Sequence, residues 1–307
     1  MALLSHRQCW SCALVFSVFP CVFSASSAND ASATYHTGTS EVRVTFFATD
    51  QSNRLVENIE KDDFAVVDSG QVIREFRSLA RSKETMLDVV ALVDTSESVV
   101  QRFQMTQHDV LQLVSRQSLD GDDKVSVVTF SGLRPVLLCT TDCHSPQAEK
   151  SLLTLRPGGV TPLFDTLVYA ADFVSRRQTP GVRPVLILFS DGNDTVSRTS
   201  VVEALEAVIA TGAPLYTIDL SEPRHPLAGS EVLHRMAEAT GGRYFLVRDG
   251  VPEMLQAMLA DQRASYVVTY QLPRQAPGFH SLRILPKHNL NLRFHCRSGY
   301  YYETTVQ

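Results

Sequence analysis

Asp94, Thr95, Ser96, Glu97 and Ser98 follow directly on the apolar run "LDVVALV". A helix start needs only one Ser, Thr or Asp to satisfy its free N–H groups, so the polar cluster exceeds what capping requires. Two further stretches share its character. "GGVTP" places Thr161 before Pro162, and "SDGND" places Asp191 just beyond "VLILF". In an open parallel sheet, ligands bind at the carboxyl ends of strands near the point where strand order reverses; the first and third stretches follow strand-like runs, and the second stands before a helix. Asp94, Ser96, Ser98, Thr161 and Asp191 supply oxygen donors alone, with no histidine or cysteine. That is the ligand set of a hard, six-coordinate divalent cation such as Mg²⁺ or Mn²⁺. Taken singly, each piece has a plainer reading. Thr161-Pro162 reads equally as an N-cap with proline at the first helical position, and Ser98 and Asp191 are ordinary residues of strand-to-helix turns. Only their joint occurrence favours metal.

The elements that must position these residues are visible as alternating patterns between Leu87 and Ser265. The runs "LDVVALV", "VSVVTF", "VLILF", "PLYTI" and "YFLV" are short and rich in β-branched or aromatic residues, as strands buried on both faces are. Between them, apolar residues recur at helical spacing: Val100, Phe103, Val110, Leu111 and Val114; Leu163, Leu167, Ala170, Ala171 and Val174; Val201, Leu205, Val208 and Ile209; Val232, Met236 and Ala237; Val251, Met254, Leu255 and Met258. Strict alternation implies an α/β fold, a mainly parallel sheet with helices on both faces. After "VSVVTFSG" the chain passes "LRPVLLCTT" with no room for a helix, which predicts a hairpin and one antiparallel edge strand. The flanks alternate apolar and polar residues, as antiparallel strands do: "EVRVTFFATD", "FAVVDSG" and "VIREFRSL" before, "SYVVTYQLP", "FHSLRILP" and "LNLRFHCRSGYYY" after. Each flank alone is thin for a sandwich, so residues 36–83 and 266–307 are expected to pair into one β-rich domain around an inserted α/β unit, residues 84–265.

Asp94-x-Ser96-x-Ser98, Thr161 and Asp191 match in type, order and placement the metal-ion-dependent adhesion site of von Willebrand factor A domains. The mature chain as a whole, through "DDFAVVDSG", "SDGNDT", "GGRYFLV" and "RSGYYY", resembles the bacterial exported group related to that family. The resemblance implies a doubly wound sheet with one antiparallel edge strand. It also implies that Ser96, Ser98 and Thr161 coordinate a Mg²⁺ or Mn²⁺ ion directly, while Asp94 and Asp191 hold it directly or through water. Glu97 departs from the glycine that many members carry there. Neutral hydroxyls leave such a cation under-neutralised, so the expected partner is a protein presenting an acidic side chain.

The remaining sequence bounds this reading. The chain of 307 residues is 44% hydrophobic and 20% charged with net charge −5, an ordinary globular composition with no nucleic-acid footprint. His6 and Arg7 precede the apolar "CWSCALVFSVFPCVF" and the small residues of "SASSAND", which reads as a secretory signal over residues 1–28. That run is short of the ~20 residues of a membrane span. Cys21 closes it, but Phe19 and Pro20 are bulky for a lipoprotein cleavage motif. The expectation is a secreted, periplasmic or cell-surface protein with no span after signal removal. Cys139 and Cys143 of "CTTDC" then read as a small disulfide loop, leaving Cys296 unpaired; zinc binding with His144 is the alternative. Asn193-Asp194-Thr195 matches a glycosylation acceptor, and Tyr300, Tyr301 and Tyr302 read either as strand packing or as a partner-binding patch. No nucleophile elbow, phosphate loop, dinucleotide fingerprint or H-E-x-x-H motif is present, so no enzyme activity is expected. Two alternatives stand: a Mg²⁺-dependent phosphotransferase of the haloacid dehalogenase type, which would carry a second Asp where Ser96 stands, and a structural envelope module holding no metal.

Overall fold

The computed structural model describes residues 41–82, 86–115, 122–141, 143–221, 228–247, 251–273 and 276–302; the expected leader, residues 1–28, lies outside them. The chain runs through β1 (Glu41–Thr49), β2 (Leu55–Val56), β3 (Phe64–Asp68), β4 (Gln71–Ile73) and β5 (Ser78–Arg81) into an α/β region. There β6 (Met86–Asp94) is followed by α1 (Phe103–Val114), β7 (Lys124–Ser131), β8 (Arg134–Cys139), α2 (Pro146–Thr154) and α3 (Leu163–Ser175). Next come β9 (Val182–Ser190), α4 (Val201–Thr211), β10 (Leu215–Asp219), α5 (Ala228–Thr240), β11 (Tyr244–Leu246) and α6 (Val251–Arg263). The last strands are β12 (Tyr266–Gln271), β13 (Gly278–Pro286), β14 (Arg293–His295) and β15 (Gly299–Tyr302).

The apolar runs form a six-stranded sheet of order β11-β10-β9-β6-β7-β8. All its neighbours are parallel except β7 and β8, which form the antiparallel edge hairpin. Strand β6 is central and pairs with β9 from Met86↔Val182 to Val93↔Phe189 and with β7 from Asp88↔Lys124 to Asp94↔Phe130. Because side chains alternate along a strand, Val89, Ala91 and Val93 pack with α1, α2 and α6, whereas Val90 and Leu92 pack with α3, α4 and α5. This is why the run is apolar without a break. Each helix predicted from its spacing is present. Helix α2 escaped that reading because its few buried positions, Ala148 and Leu152, give little periodicity. Its start was nonetheless written in the chain: Ser145 Oγ accepts the Ala148 N–H at 3.3 Å and Pro146 opens the first turn.

The flanking strands cross-pair. β1 runs antiparallel to β12 from Glu41↔Gln271 to Phe46↔Tyr266, and β12 takes β5 on its other edge while β1 takes β14. β3 lies antiparallel to β13, which also carries β15. Val44, Phe46, Phe64, Val66, Val268, Tyr270 and Leu282 share one buried cluster. The tyrosine run divides by strand alternation. Tyr300 is buried, and its hydroxyl joins that of Tyr270 on one oxygen of the buried Asp68, at 2.6 and 2.7 Å, whereas Tyr301 is exposed. Cys139 and Cys143 form a disulfide with Cα atoms 5.2 Å apart, which consumes the thiolates that the zinc alternative required. Cys296 stays free, and burial pushes its thiol up to about 12.

One buried ion pair ties the flank to the sheet. Arg243, next to β11, donates to Asp261 of α6 through Nη2 at 2.5 Å and Nε at 2.8 Å. Its Nη1 donates to the Asn53 carbonyl at 3.0 Å, and the guanidinium lies over the Phe47 ring. Asp261 is fully buried, so removing the cation strands a charge in a site of low polarity. Arg243→Met is expected to cost on the order of 3–5 kcal/mol in urea unfolding. Adding Asp261→Asn should recover part of that loss, because the stranded charge goes with it; a double variant as unstable as the single one would contradict this account.

Candidate metal centre

Asp94 is the last residue of β6, and its position follows from the strand's pairing on both sides. Its Oδ1 accepts the Ser96 N–H at 2.9 Å, closing a tight turn, and its Oδ2 accepts the Ser190 hydroxyl at 2.7 Å from the end of the neighbouring β9. Ser190 Oγ in turn accepts the Gly192 N–H at 3.1 Å. Asp191 follows Ser190, with its oxygens accepting the backbone and side-chain N–H groups of Asn193 at 3.1 and 3.0 Å. Ser96 and Ser98 have hydroxyl oxygens 3.1 Å apart; Ser96 is fully buried and Ser98 is exposed on the short 3₁₀ turn Glu97–Val99.

Backbone bonds lace the third loop onto the first two. Glu97 N–H donates to the Gly159 carbonyl at 3.0 Å and Gly158 N–H to the Thr95 carbonyl at 2.8 Å. Thr161 N–H donates to Thr195 Oγ1 at 2.7 Å, while Thr195 N–H returns to the Thr161 carbonyl at 3.0 Å. Contact is closer still behind Asp191. Gly192 has φ +77°, and a Cβ built there would stand 2.1 Å from the Gly229 carbonyl oxygen in the first turn of α5. Only glycine satisfies both demands.

The N-cap reading of Thr161 is corrected by this geometry. Helix α3 begins at Leu163 after Pro162, without a side-chain cap from its own chain neighbours. Its free Phe164 and Asp165 N–H groups donate to Ser197 Oγ, both at 3.1 Å, and Ser197 Oγ donates to Asp194 at 2.5 Å. Thr161, buried yet relieved of capping, keeps its hydroxyl for another use. The glycosylation motif is likewise occupied, Asn193 on Asp191 and Thr195 on Thr161. Reading by motif missed the roles of Ser190 and Ser197 and took Asn193, Asp194 and Thr195 only as a glycosylation acceptor. Their signal is only a scatter of small polar residues after "VLILF", the usual composition of a loop.

With this geometry in view, comparison with known proteins is direct. The model of the von Willebrand factor type A domain matches residues 88–257. The chain belongs to the von Willebrand factor type A (VWA) domain family. A relative from Mycobacterium tuberculosis is 28% identical over 153 residues, covering 47% of this chain and 24% of its own length; the chain thus spans about a quarter of that relative. Similar solved structures include a VWA protein from Catenulispora acidiphila, 13% identical over 87% of this chain and 76% of its own with a TM-score of 0.49. An aerotolerance-related membrane protein from Bacteroides fragilis is 20% identical over 58% of this chain and 98% of its own, TM-score 0.46. All these scores lie below 0.5, so the assignment rests on the family match.

The site of this VWA domain fits a cation by its charge. Asp94 and Asp191 are 0% and 6% exposed, and their hydrogen-bond partners among the described residues are neutral hydroxyls and amides. Buried charges are ordinarily paired or coordinate metals. Burial is the main force raising the Asp94 carboxyl to about 6, opposed by the bonds from Ser96 and Ser190 and assisted by the negative charge of Asp191. A bound divalent ion would be held by Asp94, Ser96, Ser98, Thr161 and Asp191 and would supply the missing positive charge.

Without metal, the raised Asp94 value makes a signed prediction. The native state binds the extra proton between the unfolded value of 3.8 and about 6, so this contribution to stability is complete below pH ~4 and lost as pH rises through ~6. Asp94→Asn keeps the acceptor for Ser96 and removes the charge. In EDTA, its stability relative to wild type is expected to rise between pH 4 and 7.5, by up to about 3 kcal/mol. Melting curves across that range check this, and a difference independent of pH would refute it.

Proposed function

We propose that this VWA domain is an exported, non-catalytic binding module that captures an acidic group of a partner protein through Mg²⁺ or Mn²⁺ held by Asp94, Ser96, Ser98, Thr161 and Asp191. The observation that carries this reading is the pair of buried carboxylates at adjacent strand ends, with neutral hydroxyls and amides as their partners. A divalent ion in that setting meets at most two full negative charges, and the hydroxyls of Ser96, Ser98 and Thr161 add none. It therefore keeps affinity for one more anionic oxygen, which a partner's Asp or Glu provides. The exposed Glu97 sits beside this position and disfavours partners whose acid is flanked by further acids. Export is supported by the Cys139–Cys143 disulfide, since such bonds persist in oxidising compartments. Among the described residues no helix is long and apolar enough to cross a membrane.

Metal should raise the melting midpoint, because a ligand that prefers the native state stabilises it by mass action. At one hundred times its Kd the gain is about 2.7 kcal/mol. Asp191→Ala is expected to abolish the response to Mg²⁺ and Mn²⁺ while leaving the fold intact, and to abolish capture of a partner from envelope extract, which EDTA should also prevent in wild type. An identical metal response in both proteins would sink the metal reading, and Mg²⁺-dependent phosphatase turnover lost in Asp94→Asn would favour the phosphotransferase.

A further inference from the structure

A cavity of about 170 Å³ opens at the opposite end of the central sheet from Asp94, where β9 and β10 begin and the flanking strands pass beneath. It far exceeds the ~10–15 Å³ that one water needs. Its wall on the flank side comes from β1, whose even-numbered Val42, Val44 and Phe46 enter the buried cluster of the flanking sheets. The odd-numbered Arg43, Thr45 and Phe47 line the cavity, and Phe46 also reaches its wall.

Three arginines meet there: Arg43 from β1, Arg183 from the start of β9 and Arg297 from the turn before β15. Among the described residues no Asp or Glu lines the cavity. The nearby Asp261 is already engaged by Arg243 and by the Tyr216 hydroxyl. Arg183 is held in place by neutral acceptors, Nη1 donating to the carbonyl and side-chain oxygens of Gln262 at 3.0 and 3.1 Å and Nη2 to Ser82. Arg297 donates from Nη2 to the Arg43 carbonyl at 3.3 Å and lies over the Tyr300 ring. None of these contacts carries a negative charge, and burial works against the charge on both Arg183 and Arg297. His295, also in the wall, is pushed down to about 4, first by burial and then by the charges of Arg243 and Arg293, so at neutral pH the positive charge is that of the arginines. Each guanidinium offers five N–H donors, and the contacts above leave several of them unspent.

We propose that this cavity binds a tetrahedral oxyanion, a phosphate or sulfate group, clamped by Arg43, Arg183 and Arg297. Charge favours an anion because Arg183 and Arg297 are desolvated and, among the described residues, no acid in the cavity wall offsets them. Planar guanidinium forks suit oxyanions with several acceptor oxygens. The residues come from both flanks and from the α/β sheet, so a bound anion stabilises the joint between them. The site is independent of the metal reading, since it shares none of its residues.

The test is thermal melting in EDTA with inorganic phosphate, inorganic sulfate or a phosphomonoester, each against sodium chloride of equal ionic strength. An anion at ten times its Kd should raise the midpoint by about 3 °C beyond the chloride control. Arg43→Gln alters an exposed side chain that holds nothing else together, so it should fold as wild type and weaken binding about tenfold. Arg297→Gln should remove the response. Phosphorus NMR supplies a readout apart from stability: the phosphate resonance should broaden with wild-type protein and not with Arg297→Gln. A stronger response to the monoester than to inorganic phosphate assigns the site to an ester, equality assigns it to the free anion, and both support the clamp. No response beyond chloride with any probe, or an equal response in wild type and both arginine variants, overturns it.

Discussion

Strand β6 has no free side. Parallel partners bond both of its edges, and helices cover both of its faces. A strand so confined cannot slide, because a shift of one residue would exchange the apolar sets that face the two helical layers. The place where it stops is therefore fixed, and that place is Asp94. The turn through Ser96 is closed by the Asp94 carboxylate itself, and the next loop is bonded to the carbonyl of Thr95 and the amide of Glu97. Position at this end of the molecule is inherited from packing in its middle.

The distribution of charge follows a similar logic. A net charge of −5 conceals a separation along the central sheet: Asp94 and Asp191 are buried at the carboxyl ends of β6 and β9, while Arg183 stands at the amino end of β9 with Arg43 and Arg297 in the same cavity wall. Within the packed interior Arg243 neutralises Asp261 directly, and Asp68 is held by two tyrosine hydroxyls. Around Ser190 and around the cavity the partners of Asp94, Asp191, Arg183 and Arg297 are neutral instead, and on the reading proposed above an ion from outside supplies the counter-charge.

Much of the fold was legible because burial on both faces forces a continuous apolar run, and five such runs became the strands β6, β7, β9, β10 and β11. The edge hairpin was legible from the short link after "VSVVTFSG". Asp94, Ser96, Ser98 and Asp191 were legible because they stand within five positions of the end of an apolar run, and Thr161 because it stands just before the helix that opens at Leu163. Ser190 and Thr195 were not, since a hydroxyl in a loop carries no mark of what it bonds. The arginine cluster was hidden for a different reason. Positions 43, 183 and 297 are neighbours only because β1 lies across the chain from β12 and β14, and no local pattern contains that pairing. Arg243 and Asp261 are separated by β11 and most of α6 and were equally silent.

Gly192 and Gly229 press backbone on backbone behind the Asp191 turn. With no side chain between them, the two segments meet main chain to main chain, and neither position tolerates a larger residue. A methyl group at position 229 would stand 2.2 Å from the Asp191 carbonyl oxygen, so the register of α5 against this turn sets where the Asp191 backbone lies.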